Sequence, residues 1–226
     1  MRIAAVMDAA KARGLFRGDN PAAWRGALET LLPARNRLSR GHHAALDYQS
    51  VPSAMKTLRE SSAVSARAVE LACLTACRSG EVRGAVWSEI DLDAALWTIP
   101  AARMKAGVEH RVPLSERAVT VLRIMQQRAT GQLVFEGGKA GAAISDTAMV
   151  KSLRAASTDK SITLHGLRSS FRDWAGDTTA HPRDVIEMAL AHGVKDKTEA
   201  AYRRLDALEK RRILMTDWGK YCEGAQ

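Results

Sequence analysis

The sequence predicts an α+β domain, mainly helical, with one small antiparallel sheet of three strands. Three observations carry that reading. Apolar residues recur at helical spacing along most of the chain. Strand-like runs are confined to a short middle stretch between Leu96 and Phe135. A composition of 46% apolar and 26% charged residues is that of a chain that buries a core.

Taken in order, Ile3 to Arg13 is rich in alanine and reads as a helix that stops at Gly14. Asp19-Asn20-Pro21 starts a second helix, in which Trp24, Leu28, Leu31 and Leu32 recur up to Pro33. Two such short helices bury little against each other and read as the end of something longer. Pro33 to His43 holds Arg35, Arg37 and Arg40 with no acid, and reads as a basic linker. Plain solvation and the tracking of a phosphate backbone account for that charge equally well. The expected organisation is therefore closing helices over 1–32, a linker over 33–43 and a compact domain over 44–226.

Within that domain, Val51 to Glu60 and Ala63 to Ala76 are helical, the second strongly apolar, and a further helix spans about Gly80 to Val86. Asp91 to Ala94 is a turn. Leu96 to Ile99 is a strand stopped by Pro100, His110 to Leu114 is its hairpin partner, and Pro113 places that partner at an edge. Ser115 caps a helix that reaches Thr130 and ends at Gly131. Leu133 to Phe135 is expected to supply the third strand. Gly137, Gly138 and Gly141 mark a loop, and helices follow to the end.

Charge gives the first functional hint. Lys and Arg number 34 against 25 Asp and Glu, a net +9 that attracts polyanions, nucleic acid first among them. No apolar run reaches the length of a membrane helix, and the N-terminus lacks a secretory signal. Cys73, Cys77 and Cys222 lack paired CxxC spacing, so reduced thiols in a cytoplasm are expected. Cys73 and Cys77 stand at i and i+4, but nothing nearby completes a metal site, and burial on an apolar helix is the commoner fate of such residues. His42-His43 reads as a solvated or DNA-facing pair.

Four motifs carry chemistry. In His165-Gly-Leu-Arg168 an imidazole and a guanidinium share one helix face, with Phe171 and Trp174 packing behind. In Thr75-Ala-Cys-Arg78-Ser-Gly-Glu81 an arginine stands at the mouth of a buried helix, where it is either paired with a local acid or aimed at an anion; Glu81 is the nearest acid and can orient it through a bidentate pair. Leu190-Ala-His192-Gly is followed ten residues later by Tyr202, set among alanines and arginines. Arg103-Met-Lys105-Ala-Gly107 forms a hairpin tip from which a lysine can reach into a groove.

Arg, Lys, HxxR, His and Tyr in this order and spacing resemble the catalytic domain of the tyrosine recombinases, the phage integrase family. The likeness runs from about Ala44 to the end. Asp19-Asn-Pro-Ala-Ala-Trp24, His42-His-Ala-Ala-Leu46, Trp87-Ser-Glu-Ile-Asp91 and Glu199-Ala-Ala-Tyr-Arg-Arg204 look like integrases of prophages and genomic islands. The resemblance implies the following roles. Tyr202 attacks the scissile phosphate and forms a 3′-phosphotyrosyl bond. His165 is the base, Arg78 and Arg168 clamp the non-bridging oxygens, Lys105 protonates the leaving 5′ oxygen, and His192 donates to the phosphate. Two guanidiniums supply the charge, so neither metal nor cofactor is expected.

Family members carry a helical core-binding domain before the catalytic one. Residues 1–32 would be its closing helices, so an N-terminally shortened protein is expected. Arg35, Arg37, Arg40, Arg103, Arg111, Lys139 and Arg203 are candidate DNA contacts, mostly to phosphate. Implied partners are double-stranded attachment sites, a synaptic tetramer joined through the C-terminal tail, and an excision factor or host bending protein. No membrane is implied, and the implied location is the bacterial nucleoid. The stripe Leu205, Leu208, Ile213, Leu214 and Trp218 is expected to be packing, partly interface. Alternatives are a DNA-binding remnant that no longer cuts and a type IB topoisomerase-like nicking and closing activity.

Overall fold

The computed structural model describes residues 2–32, 44–192 and 207–224. The chain divides into two compact units, Met1–His42 and His43–Gln226. In the first unit, α1 (Arg2–Ala12) ends before Gly14, which takes a positive φ of 72°. Asn20 fastens the next segment to it: its amide donates to Ala4 O at 2.8 Å and to Asp8 Oδ1 at 2.7 Å. Its carbonyl accepts from the Ala22 N–H at 2.9 Å.

The continuous helix expected from Pro21 to Pro33 does not form. Arg25 is extended and Gly26 takes φ 79°, leaving only a single turn, α2 (Glu29–Leu31). Glycine enters the left-handed region without steric cost. The Gly26 N–H then donates to Glu29 Oε1 at 2.7 Å, so the carboxylate takes a bond that a continuing helix would have supplied. Nothing in α1 or α2 is buried, and Ile3, Val6, Leu15 and Leu31 are exposed.

The second unit is built around α4 (Val64–Thr75), buried at every residue from Ala66 to Thr75. Against it pack α3 (Val51–Glu60), α6 (Glu116–Gln126) and α7 (Asp146–Ala155). Burial on all sides of one helix also encloses charges, which the apolar pattern of α4 had concealed. Glu70 is fully buried and is compensated by Arg67 at 3.2 Å and by Arg117 of α6 at 2.6 Å. A buried carboxylate persists only with such partners.

The sheet is antiparallel, in the order β1 (Ile90–Asp91), β2 (Leu96–Ile99), β3 (His110–Pro113). Register pairs Trp97 with Val112 and Ile99 with His110, so all four turn toward the core. Pro113 does lie on an edge strand. The third strand, however, is Ile90–Asp91 and not Leu133–Phe135. The latter run is drawn onto the segment Ala85-Val86 instead: Leu133 forms an isolated bridge with Val86, and the Val134 N–H donates to Ala85 O at 2.9 Å. Its apolar residues, Val134 and Phe135, satisfy burial without a sheet.

Ser115 caps α6 as expected, accepting from the Ala118 N–H at 3.4 Å, but the helix ends at Gln126, four residues short of Thr130. The last helix, α10 (Leu208–Glu223), packs on α3, α4, α6 and β3. Its Trp218 is completely buried among Trp174, Phe171 and Tyr221, with ring centroids at 4.9, 5.5 and 5.7 Å. Leu214 is buried as well, so among the described members of the expected interface stripe Ile213 alone is strongly exposed. Leu205 lies outside the described residues. Cys73, Cys77 and Cys222 are free and buried. No described helix is long and apolar enough to cross a membrane.

Candidate active site

The end of α4 sets the geometry. Ala76 terminates the helix in the left-handed region, at φ 50°, and Arg78 becomes the N-cap of α5 (Ser79–Arg83). Glu81, on the first turn of α5, reaches back to it. One carboxylate oxygen accepts from the Arg78 backbone N–H at 2.7 Å, the other from Arg78 Nη1 at 2.8 Å. The contact expected between these residues is present in a different form: Glu81 joins the backbone and the guanidinium of Arg78 and does not fork onto two guanidinium nitrogens. Glu81 is buried, while the Arg78 side chain keeps 27% of its surface open.

Arg168 lies on α8 (Gly166–Thr178) and is buried. Its Nη1 donates to Ala76 O. Its Nη2 donates to Leu190 O at 2.6 Å and lies 3.2 Å from His192 Nε2. Burial lowers its pKa from the ordinary arginine value, and the positive charge of Arg78 nearby adds to the shift. The group stays charged, because arginine does not lose its proton in proteins. The two guanidiniums thus share one region: the carbonyl that Arg168 grips lies two residues before Arg78.

His192 follows α9 (Arg183–Ala189), after Ala191 at φ 49°. Its Nδ1 lies 2.6 Å from Glu187 Oε2. Two bonded groups, Arg78 with Glu81 and Arg168 with His192 and Glu187, therefore lie in one locality, with Arg78, His192 and Glu187 partly exposed and Glu81 and Arg168 buried. Glu187 is a residue that motif reading missed; its signal is its place five residues before His192, joined by the His192 N–H to Glu187 O bond at 3.0 Å.

His165 is exposed and caps α8, with its carbonyl accepting from the Arg168 N–H at 3.2 Å. The glycine between the motif's ends has a physical purpose. A Cβ on Gly166 would clash with Ala44 O and lie 2.8 Å from Ala45 Cα, so only glycine seats the start of α8 on this segment. Lys105 is exposed on the turn between β2 and β3, with no hydrogen bond or ion pair to any described residue.

His110, at the start of β3, is the second residue missed. It is buried, and burial pushes its imidazole down to about 4, with Arg211 adding to the effect. The folded value lies below the unfolded one, so between about 6.5 and 4 only the unfolded chain takes up the proton. Stability should therefore fall as pH drops through that window, by about 3 kcal/mol in total, and level off below it. Urea unfolding of His110→Gln beside wild type at pH 7 and pH 4.5 checks this: the variant should lose distinctly less on acidification.

Of the expected DNA contacts, Arg103 turns inward. Its guanidinium pairs with Glu89 and donates to the Glu81 backbone carbonyl, because a half-buried arginine beside a buried carboxylate finds its anion inside the protein. Arg111 is half-buried on β3 opposite Thr98, and its carbonyl accepts from the buried Arg211. Lys139 is exposed on the glycine loop. Tyr202, Arg203, Arg35, Arg37 and Arg40 lie outside the described residues, as does His42-His43.

The phage integrase family model matches residues 44–209. The chain belongs to the phage integrase family. It is 36% identical over 179 residues to the prophage integrase IntA of Escherichia coli K12, covering 77% of this chain and 43% of that protein. It is 34% identical over 173 residues to the integrase of enterobacteria phage P4, covering 69% and 39%. The chain thus spans less than half the length of these integrases. Its fold is similar to that of lambda integrase, solved as a dimer bound to a COC′ core site, with TM-score 0.58 and 20% identity over 87% of this chain and 70% of that one. The integrase of mycobacterium phage Brujita matches with TM-score 0.57 and 17% identity, over 95% and 68%.

Proposed function

We propose that this chain is the DNA-cleaving and rejoining part of a site-specific recombinase. The observation that supports it most is the shared locality of Arg78 and Arg168, with His192 bonded to the second. Two guanidiniums, one partly open and one buried, and a partly exposed imidazole suit a phosphate whose non-bridging oxygens gain charge in the transition state. The phenol of Tyr202 would attack phosphorus. With a pKa of ~10 only about one free tyrosine in 10³ is ionised at neutral pH, so it needs the exposed His165 as base and the positive field of the arginines. As the bond from phosphorus to the phenolic oxygen forms, the bond to the 5′ oxygen breaks, and Lys105 gives that oxygen a proton. The phosphotyrosyl link conserves the ester, so the reverse step rejoins the strand.

The substrate would be double-stranded DNA at an attachment site in a bacterial cytoplasm, with Lys139, Arg111, Arg35, Arg37, Arg40 and Arg203 against phosphates. Arg103 is left out because its guanidinium is bonded internally. Lambda integrase is described as a dimer on a core site and as a tetramer on a Holliday junction. A comparable tetramer, with an excision or bending factor, is the assembly proposed here.

The test uses a nicked cognate-site duplex, which traps the covalent product. Wild type should give a gel-shifted adduct and Tyr202→Phe none. An adduct of equal yield from Tyr202→Phe would remove Tyr202 as nucleophile. DNA retention without adduct on any substrate would select a binding remnant. Sequence-independent relaxation of supercoiled plasmid would select nicking and closing.

A further inference from the structure

We propose that Glu187 is the positioning residue of this pocket: it holds His192 through Nδ1 and supports a second proton by which His192 lets go of Arg168 and turns to the phosphate. The inference rests on the reading of the site given above.

Hydrogen-bond chemistry fixes the resting state. A guanidinium only donates, so His192 Nε2, 3.2 Å from Arg168 Nη2, must present its lone pair. The ring proton is then on Nδ1, and it is donated to Glu187 Oε2 at 2.6 Å. This is how an outer carboxylate commonly selects one histidine tautomer. Arg168 Nη2 carries two hydrogens, and both are used, one on Leu190 O and one on His192. In this state Nη2 has no hydrogen left for a phosphate oxygen, and the Nε2 lone pair faces such an oxygen unfavourably.

A proton taken from solvent onto Nε2 changes both at once. Nε2–H cannot sit against an Nη2 hydrogen, so that contact opens. One arginine donor is released and Nε2 itself becomes a donor, giving two new phosphate bonds for one proton. The imidazolium so formed keeps its Nδ1–H on the Glu187 carboxylate, now as a charge-assisted pair. The other charged groups facing the site are Arg168 from α8, Arg78 before α5 and Glu81 of α5. Burial keeps His110 of β3 neutral, with its value near 4, and keeps Cys77 a thiol, with its value near 12. Glu187 and the incoming phosphate supply the remaining negative charge, so proton and phosphate arrive together.

The experiment is ¹⁵N-histidine NMR of the whole chain, free and with the nicked duplex at pH 7, beside adduct rates. Free wild type should show His192 as the Nδ1–H tautomer, moving to the doubly protonated form on duplex addition. Glu187→Gln should melt near wild type, keep the free tautomer through its amide oxygen, fail to take the second proton and form adduct roughly tenfold more slowly. Glu187→Asp should restore part of both. An Nε2–H tautomer in free wild type overturns the inference. So does normal protonation or a normal adduct rate in Glu187→Gln where His192→Ala is slow. A His192→Ala chain at full rate would instead defeat the reading of the site, and the tautomer and its response to the duplex would still decide the placement of Glu187.

Discussion

Arg168→Ala should lower adduct formation by about 10²–10³, the usual loss on removing one preorganised donor to a developing oxyanion. It should also destabilise the domain. The guanidinium bonds two buried carbonyls, Ala76 O and Leu190 O, and each one orphaned costs about 1–3 kcal/mol. The two effects separate in Arg168→Lys. Its ammonium keeps the charge but cannot span acceptors on three sides as the planar fork does. Stability should then recover in part while adduct stays low. Urea midpoints and adduct rates on the same preparations decide it. An Arg168→Ala chain that cuts within tenfold of wild type would show that the buried fork serves folding only.

Trp218→Ala should cost about 3–5 kcal/mol, the range for deleting a fully buried aromatic side chain. The indole fills the space between Phe171, Trp174 and Tyr221, and its Nε1 donates to Cys73 O at 2.8 Å. Against a typical domain stability of about 5–15 kcal/mol, that is enough to shift the urea midpoint strongly. Trp218→Phe keeps much of the apolar contact and loses the hydrogen bond, so it should fall between. Were α10 an arm that packs mainly on a neighbouring molecule, Trp218→Ala would alter association and leave the midpoint in place.

Periodicity revealed α3, α4, the β2–β3 hairpin and the cap on α6, because each rests on local rules: apolar spacing, a proline stop, a serine at the N-cap. What it concealed depends on contacts distant in sequence. Leu133 to Phe135 has strand composition, yet its partner is the chain around Ala85, so it joins no sheet. Arg67 and Glu70 sit in a helix that reads as apolar, and only the approach of Arg117 from α6 makes their burial tolerable. At the site, Arg78, Arg168 and His192 were legible from motif order. Glu187 and His110 were not, since neither belongs to a motif and both act through what folds against them. Arg103 looked like a groove-reaching cation because nothing local announces that Glu89 and the Glu81 carbonyl lie beneath it.

The grip of Arg168 on carbonyls from residues 76 and 190 has a consequence for biosynthesis. Residue 78 leaves the ribosome long before residue 192, so a nascent chain holds its first guanidinium with nothing to complete the pocket. The centre comes into being only when the domain closes on itself. A half-made chain therefore holds Arg78 against Glu81 alone, without the second guanidinium.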